Sequence, residues 1–373
     1  MPLQQSKPMA IDREAVLKAL GHVDDPDLKQ DIVTLGMVKD LEVEGKKVSF
    51  TVELTTPACP MKDQIKKACQ TAVLHLVDRE AEVDITMSAR VTTVREQGEV
   101  LPGVRNIIAV ASGKGGVGKS TVATNLALGL AASGAKVGLL DADIYGPSIP
   151  VMLDMKDAAP RVEKRGDKNI IIPVEKHGLK VLSIGFLVEE SQAVVWRGPM
   201  ASSALRQFVS DCDWGELDYL VLDLPPGTGD IHLTLVQTVP VTGAVMVTTP
   251  QEVALADARK GIAMFKMPNI NVPVLGLVEN MAWFTPAELP DNKYFLFGEG
   301  GGERLAGDLD VSLLGKIPLV QAIREGGDRG VPAVLNESDA ITRQAFLGLA
   351  NSVAQAVSIR NANMAPTERV IMQ

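Results

Sequence analysis

Cysteine is scarce in this chain, and so are the long apolar runs that span membranes. The 373 residues include three cysteines, Cys59, Cys69 and Cys212, and so small a number is typical of proteins in a reducing compartment. No uncharged apolar stretch reaches the length of about 18 residues that indicates a transmembrane helix. The first residues lack the continuous apolar segment of a signal peptide. We therefore expect a cytoplasmic protein.

The chain also lacks an excess of basic residues. It has 37 Lys and Arg against 46 Asp and Glu, a formal net charge of −9, which argues against broad electrostatic binding to nucleic acid or to an anionic membrane. Hydrophobic residues make up 46% of the sequence and charged residues 22%, as in ordinary globular proteins. The length is sufficient for two or three domains with buried cores. We expect no nucleic-acid partner and no membrane partner.

A glycine-rich stretch in the first half of the chain matches the phosphate-binding pattern G-x-x-x-x-G-K-[ST]. Residues 113–120 read Gly-Lys-Gly-Gly-Val-Gly-Lys-Ser, after an apolar run and before a helix-like one. Glycines let backbone N–H groups approach phosphate oxygens, and the helix N-terminus adds partial positive charge. In such a loop Lys119 reaches the β- and γ-phosphates and Ser120 ligates Mg²⁺. The pattern favours a nucleotide site over an ordinary glycine-rich turn, formed by Gly113, Lys114, Gly115, Gly116, Val117, Gly118, Lys119, Ser120 and Thr121.

Strand-like and helix-like segments alternate after this loop. Candidate strands cover residues 107–111, 136–140, 180–184, 219–222, 244–248 and 274–278, with an edge strand at 313–317, and candidate helices cover 200–209, 253–265 and 340–358. Most of these strands are short continuous apolar runs, as expected for strands that are buried on both faces. The alternation predicts an α/β fold with a mostly parallel sheet and helices on both faces. The phosphates should lie beyond the carboxyl ends of the strands.

The first quarter of the chain predicts a separate small α+β domain. Apolar residues alternate with polar ones over residues 47–54, and residues 61–77 have the pattern of an amphipathic helix. We expect this domain at residues 1–96, a linker at 97–104, the P-loop domain at 105–360 and a disordered tail at 361–373.

Carboxylates follow two of the predicted strands. Asp141 and Asp143 end one strand, and Asp223 ends another. Neighbouring carboxylates repel unless a cation or a water network uses them. Asp223 has the place of the strand carboxylate that holds Mg²⁺ in P-loop enzymes, and the Pro-Pro-Gly turn after it is a candidate γ-phosphate sensor. For Asp141, an alternative is a cap on the following turn.

A second lysine inside the loop, Lys114, makes a resemblance specific. The loop resembles the deviant P-loop of the MinD/ParA/nitrogenase iron protein class of ATPases. The resemblance implies an Mg²⁺-dependent ATPase that works as a homodimer, in which Lys114 reaches the phosphates of the facing subunit. It also implies that Asp143 orients or deprotonates the attacking water, that Asp141 supports the Mg²⁺ shell and that Asn280 reads the adenine edge. The alternatives are a solvated lysine at 114 and a turn-capping asparagine at 280.

Longer segments narrow the resemblance to the Mrp/ApbC family of iron–sulfur cluster carriers. They cover residues 141–147, 196–200, 222–230 and 317–327, and the N-terminal domain resembles the small domain that this family often carries, marked by residues 25–27, 35–36 and 56–60. The resemblance implies a nucleotide-gated homodimer that works with the iron–sulfur assembly machinery and transfers clusters to apo-proteins.

One family feature is missing. Residues 285–290 read Thr-Pro-Ala-Glu-Leu-Pro, where the family places a Cys-Pro-x-Cys pair that would hold a [4Fe–4S] cluster between two subunits. Cys59 is the remaining candidate ligand, because it lies in a proline-flanked turn before a helix whose dipole lowers a thiol pKa. The alternative is an inert turn cysteine. Cys69 and Cys212 are expected in the core.

Two other functions stay open. One is a positioning switch like MinD or ParA, and the other is a scaffold ATPase that moves apo-partners without carrying a cluster. The four histidines show no metal-ligand spacing, and only His232, shortly after the Pro-Pro-Gly turn, is expected near the nucleotide.

Overall fold

The computed structural model describes residues 11–95, 100–144, 146–186, 198–286, 288–289 and 291–367. The chain divides into two compact units, Met1–Thr92 and Thr93–Gln373. The predicted linker residues 97–99, Tyr145 and the Trp196–Arg197 pair of the family resemblance lie outside the described residues, as do residues 368–373 of the expected tail.

The N-terminal unit is a small α+β fold. Its elements are α1 (Arg13–Leu20), β1 (Asp24–Asp25), β2 (Gln30–Asp31), β3 (Val38–Glu44), β4 (Lys47–Leu54), α2 (Lys62–Leu76) and β5 (Glu82–Ala89). β4 pairs with β3 antiparallel and with β5 parallel. The predicted alternation in β4 is confirmed, since its apolar residues are buried and contact buried residues of α2. The small sheet therefore has one face on a core that α2 covers.

The C-terminal unit is built on a mostly parallel sheet. Its elements are β6 (Val104–Ser112), α3 (Lys119–Ala132), β7 (Val137–Asp141), α4 (Ile149–Met152), β8 (Arg161–Arg165), β9 (Lys168–Ile172), β10 (Val174–Lys176), β11 (Leu179–Ser183), α5 (Gly198–Ser210), β12 (Leu217–Asp223), α6 (Asp230–Thr238), β13 (Gly243–Thr248), α7 (Glu252–Phe265), β14 (Val274–Glu279), α8 (Gly301–Asp308), β15 (Leu313–Lys316), α9 (Gln321–Asp328) and α10 (Ala340–Asn363). The strand order is β10-β11-β7-β12-β6-β13-β14-β15. The six predicted inner strands are present, and β15 lies at one edge as expected.

Alternation along the central strand explains the layers of this unit. Ile107, Ala109 and Ala111 of β6 contribute to a core with apolar residues of α5, α6, α7 and α8. The intervening Ile108 and Val110 are also buried, and successive strand residues point to opposite faces. Helices α3 and α10 pack on each other and on neighbouring strands. The sheet is thus buried on both faces, which confirms the predicted fold class.

Some elements were not expected from the sequence. β10 pairs antiparallel with β11 at the other edge of the sheet, and β8 and β9 form an exposed hairpin. β10 covers three residues and β8 is charged over most of its length. Such segments lack the continuous apolar run by which the inner strands were recognised.

Residues 361–367, the first part of the expected tail, lie in the described part of the chain. Helix α10 continues to Asn363, and the Asn361 side chain donates to Asn106 Oδ1 at 3.0 Å. The Arg360 guanidinium then donates to the Ala365 carbonyl at 2.6 Å and to Thr367 Oγ1 at 2.9 Å. The contact with Asn106 joins residues 255 positions apart, whereas those of Arg360 are local to the end of the helix.

Candidate nucleotide site

The predicted phosphate loop joins the central strand to a buried helix. β6 ends at Ser112, Gly113 to Gly118 form the loop, and Lys119, Ser120 and Thr121 begin α3. Gly115 and Gly116 are exposed, whereas Lys119 is buried. All of the predicted loop residues are therefore placed together at the carboxyl edge of the sheet.

The position of Gly118, the last glycine of the loop, has no room for a side chain. Gly118 has a φ of 81°, in the left-handed region that favours glycine. A Cβ at this position would lie 2.2 Å from Asn280 Nδ2. The same amide nitrogen donates to the Val117 carbonyl at 2.8 Å. Asn280, which was predicted to read adenine, thus contacts the phosphate loop directly through its amide nitrogen.

Lys119 lies at the centre of a cluster of polar side chains. Its side chain is 6% exposed, and its ammonium nitrogen lies 2.6 Å from Asp223 Oδ1. Ser120 Oγ is 3.1 Å from that nitrogen, and Asp143 Oδ2 is 3.9 Å from it. The structure therefore brings together Lys119, Ser120 and two of the three predicted strand-end carboxylates, Asp223 and Asp143.

Asp141 lies beside Asp223 because their strands are paired neighbours. The two residues are opposite each other in the parallel register of β7 and β12, and both are fully buried. Burial, reinforced by the charge of Asp223, raises the pKa of Asp141 to about 8. Burial also raises the pKa of Asp223, although the Lys119 ammonium opposes that rise. The Lys119 ammonium is thus close to two carboxylates that are both fully buried.

The two carboxylates differ in their remaining hydrogen bonds. Asp141 Oδ1 accepts from the Asp143 backbone at 3.2 Å, and Asp141 Oδ2 accepts from the Ser183 hydroxyl at 3.0 Å and the Ile149 backbone at 3.3 Å. These contacts agree with the alternative interpretation of Asp141 as a cap on the following turn. Asp223 Oδ2, by contrast, is buried and has no hydrogen-bond partner among the described residues.

The unpartnered oxygen of Asp223 fits a magnesium ion. Mg²⁺ prefers oxygen ligands and is held by one or two side chains, with water and substrate phosphates completing an octahedron. Asp223 Oδ2 and the Ser120 hydroxyl are suitable ligands, and Asp141 lies behind them with its oxygens already occupied. Within the described part of the chain, no group of three or more His, Cys, Asp or Glu side chains could hold a metal. The donor set therefore suits a cation that shares its shell with a phosphate.

The Pro-Pro-Gly turn and Leu224 before it are hydrogen-bonded to the end of β6, next to the phosphate loop. Leu224 N–H donates to the Val110 carbonyl at 3.0 Å, and Gly227 N–H donates to the Ser112 carbonyl at 2.9 Å. Gly227 has a φ of 95°. Because Ser112 directly precedes the phosphate loop, a displacement of the loop would also displace the turn that follows Asp223.

Lys114 is placed where its ammonium is available. The residue is half-buried, and its carbonyl accepts from the Ser112 hydroxyl at 3.0 Å. Its ammonium forms no ion pair with the residues that the structure describes, whereas Lys119 has two carboxylate neighbours. The two loop lysines thus have different electrostatic surroundings.

A second glycine-rich stretch, residues 297–302, does not have the geometry of a nucleotide site. Gly302 N–H, in the first turn of α8, donates to Glu279 Oε2. A Cβ on Gly302 would lie 2.8 Å from that oxygen. An internal carboxylate therefore occupies the helix N-terminus, where a phosphate would otherwise bind. Glu279, next to Asn280, was not identified from the sequence, because a single glutamate after an apolar strand has no distinguishing spacing.

Cys59 lies before α2, where burial and the helix N-terminus have opposite effects on its pKa. It is half-buried, and burial raises its pKa, to which the charges of Asp27 and Asp25 add. Backbone N–H groups of Met61 and Lys62, at the start of α2, act in the opposite direction. The expected effect of the helix is thus present, but burial outweighs it. The prediction of a lowered pKa at Cys59 is wrong for this reason.

The other two thiols lie in cores, as expected. Cys69 is buried with α2, and Cys212 is buried near Trp214. Burial raises the pKa of each to about 12. Neither has the microenvironment of a reactive or metal-binding cysteine.

Comparisons with known proteins agree with this geometry. A family model described as NUBPL iron-transfer P-loop NTPase matches residues 103–354, and one described as iron-sulfur cluster assembly protein matches residues 13–85. The chain is 49% identical to the iron-sulfur cluster carrier protein of Synechocystis sp., over 93% of this chain and 98% of the relative. It is 44% identical to the iron-sulfur cluster carrier protein of Escherichia coli (strain K12), over 94% of each chain.

A solved structure is similar over about two thirds of the chain. It is a nucleotide-binding protein from Archaeoglobus fulgidus in complex with ADP, 38% identical, with a TM-score of 0.56 and coverage of 68% of this chain and 98% of that one. Together with the sequence relatives, this likeness confirms the resemblance that was inferred from the loop and the strand-end motifs.

Proposed function

Because the chain belongs to the iron–sulfur cluster carrier family of P-loop NTPases, we propose that it binds and hydrolyses ATP as a homodimer and transfers iron–sulfur clusters to apo-proteins. The single observation that carries the nucleotide part is the buried contact between Lys119 and Asp223 beside Ser120. These are the residue types that bind a triphosphate and its magnesium ion in P-loop enzymes.

Lys119 would change partners when the nucleotide binds. Its ammonium now contacts Asp223, and the β- and γ-phosphates carry more negative charge than one carboxylate. Movement of Lys119 to the phosphates would free both Asp223 oxygens to hold the magnesium ion together with Ser120. That ion would neutralise the charge that develops on the phosphates.

Asp143 is proposed to act on the attacking water. Its side chain is 12% exposed, and its carboxylate lies 3.9 Å from the Lys119 ammonium, so it is near the phosphate-binding lysine yet keeps contact with solvent. A carboxylate at this place can orient a water and accept its proton. Asp141, whose oxygens are bound by Ser183 and two backbone N–H groups, would support the magnesium shell from behind.

Lys114 is proposed to act across the dimer. Its ammonium has no carboxylate partner among the described residues of its own chain, and a lysine supplied by the facing subunit adds positive charge where the transition state needs it. In this proposal each subunit completes the site of the other, so hydrolysis depends on dimer formation.

We propose that the cargo is an iron–sulfur cluster. Cys59 is the candidate ligand, because its side chain is half-buried whereas Cys69 and Cys212 are buried. One thiolate cannot hold a cluster that usually takes four, so Cys59 would act with a second copy, a small thiol or the recipient protein. Binding of a cluster would deprotonate this thiol, in spite of its raised pKa.

A scaffold ATPase without a bound cluster is the second candidate. One observation favours it: residues 285–290 contain none of the cysteines with which the family would hold a cluster between two subunits. The chain would then move apo-proteins or assembly factors by its nucleotide cycle alone.

A positioning role like that of MinD or ParA has less support. In the described residues no helix has both the length and the apolarity needed to cross a membrane. The net charge of −9 disfavours binding to DNA. We propose a cytoplasmic protein without a membrane or nucleic-acid partner, and sedimentation with liposomes or plasmid DNA in the presence of ATP tests this.

Anaerobic reconstitution with iron and sulfide tests the carrier function. The wild-type protein should gain cluster absorption and pass the cluster to an apo-ferredoxin, with a rate that changes when Mg-ATP is added. Cys59→Ser should lose the cluster, whereas Cys212→Ala, which removes a buried thiol elsewhere, should keep it. Absence of both absorption and transfer in the wild type would reject the carrier role and leave the scaffold role.

A further inference from the structure

His232 is a buried histidine that the proposed mechanism does not use. It lies in the first turn of α6 and is 2% exposed. Leu235 and Val236 follow at the spacing of one helix face, and both are buried in the core. The imidazole therefore lies on the inward face of α6.

The ring nitrogens of His232 lack satisfactory partners. Neither one forms a hydrogen bond of normal geometry with the described residues. A buried polar group without a partner costs about 1–3 kcal/mol, and such groups in native proteins often have a functional explanation. An unpartnered buried ring of this kind therefore calls for a functional explanation.

The surroundings of the ring identify candidate partners. The Gly229 and Pro225 carbonyls lie close enough to raise its pKa, but burial dominates and lowers that pKa to about 4, and the Lys119 charge adds to the lowering. The ring is therefore neutral near pH 7, with one N–H donor and one nitrogen acceptor. A neutral ring also avoids repulsion with Lys119.

The two carbonyls belong to the turn that follows Asp223. This turn, residues 224–229, connects the buried carboxylate to α6, and Gly227 N–H bonds it to the Ser112 carbonyl before the phosphate loop. Its position thus affects Asp223 at one end and the loop in the middle. A side chain at the base of the turn can influence both.

We propose that His232 is a positioning residue for ATP hydrolysis, whose neutral ring donates a hydrogen bond to the Pro225 or Gly229 carbonyl and so holds the 224–229 turn. The proposal rests on the ATPase activity proposed above. Hydrogen bonds of this kind are often long or poorly aligned until the substrate complex forms. When the bond is made, the turn keeps Asp223 and the phosphate loop in the arrangement that hydrolysis requires.

Three variants test this role. His232→Leu removes both ring nitrogens but keeps an apolar side chain. His232→Gln keeps a donor and an acceptor. Leu235→Ala, the matched control, weakens the packing of the same helix face without a change at the ring. Each protein is assayed for kcat and KM with Mg-ATP, for ADP affinity, and for hydrogen exchange of peptides that contain residues 223–231.

His232→Leu should lower kcat by about 10- to 100-fold, because small misplacements in a site have effects of this size, with little change in KM or ADP affinity. His232→Gln should recover most of the rate, and Leu235→Ala should keep kcat close to wild type. Exchange of the 223–231 peptides in the ADP complex should be faster in His232→Leu than in His232→Gln.

Three results would overturn the proposal: an unchanged kcat in His232→Leu, an equal loss in Leu235→Ala, or a Gln variant no better than Leu. If wild-type protein binds ADP but does not hydrolyse ATP, the proposed ATPase function fails instead. The exchange rates then decide by themselves whether His232 holds the turn.

Discussion

The Lys119 ammonium lies 2.6 Å from Asp223 Oδ1, and it joins two buried residues that are 104 positions apart in the sequence. β6 and β12 are adjacent parallel strands, so the helix that follows one meets the carboxylate that ends the other. Removal of one partner from such a buried pair leaves the other charge without compensation. The pair therefore links the stability of the sheet edge to phosphate binding.

The Lys119→Ala variant should bind ATP and ADP about 10- to 100-fold more weakly than the wild type. The reason is the loss of a charge-assisted contact of about 1.5–3 kcal/mol. Its unfolding free energy should also fall, since Asp223 loses its cation. Titration with a fluorescent nucleotide and urea unfolding measure the two effects. Wild-type nucleotide affinity in this variant would refute the phosphate-loop assignment.

Lys114→Ala is the companion variant in the same loop. Because Lys114 has no ion pair among the described residues of its own chain, stability and nucleotide affinity should remain near those of the wild type. Hydrolysis should fall by about a hundredfold or more, as when a cation supplied across an interface is removed. Steady-state ATPase assays decide the matter, and unchanged turnover would argue against a lysine acting in the partner's site.

Asp143→Asn should trap an ATP-bound dimer. The amide keeps the size of the side chain but no longer accepts a proton from water, so binding persists while hydrolysis slows. Light scattering with ATP should show a dimer that does not decay, and ADP should give none. A variant that turns over ATP at the wild-type rate would remove Asp143 from the mechanism.

The buried carboxylate of Asp141 should make stability depend on pH. Its pKa rises from 3.8 in the unfolded chain to about 8 in the folded protein, mainly through burial, so the folded state binds more protons between these values. The unfolding free energy should therefore fall as pH rises through this window. His232 acts in the opposite direction below pH 6.5, because its folded pKa is lowered to about 4.

The interval from pH 6.5 to 8 isolates the contribution of Asp141 from that of His232. Urea unfolding across this interval should show wild-type stability decreasing by up to about 1.4 kcal/mol per pH unit, and Asp141→Asn should show a flatter dependence. Equal slopes in the two proteins would contradict the raised pKa.

The parallel sheet and the phosphate loop could be predicted because their signals are local. Each inner strand is a continuous apolar run, and the loop pattern demands glycines at fixed positions. The aspartates at 141, 143 and 223 followed from their places at strand ends. These local signals were reliable because strands that are buried on both faces are apolar along most of their length.

The features that the sequence did not predict depend on burial or on residues that are far apart in the chain. The thiol pKa at Cys59 is decided by burial, which no spacing records, and burial outweighed the helix dipole. The Asn361 side chain is held by Asn106, which is 255 positions away in the sequence. Glu279 could not be linked to Gly302 without the fold, because 23 residues separate them.

Asn280 offers a test between two roles for one amide. Its nitrogen donates to the Val117 carbonyl at 2.8 Å and lies against Gly118, which favours a clamp on the phosphate loop over direct reading of adenine. Asn280→Ala should therefore weaken ATP and GTP binding by the same factor, about three- to tenfold for one hydrogen bond. Competition titrations with both nucleotides measure the two affinities.

Asn292→Ala is a suitable control, because this exposed asparagine lies in the loop between β14 and α8 and its side-chain amide donates to the Tyr294 hydroxyl. Its nucleotide affinities should equal those of the wild type. If Asn280→Ala instead weakens ATP binding and leaves GTP binding unchanged, the amide reads the base. The hydrogen bond from Asn280 to the Val117 carbonyl would then not be required to hold the phosphate loop.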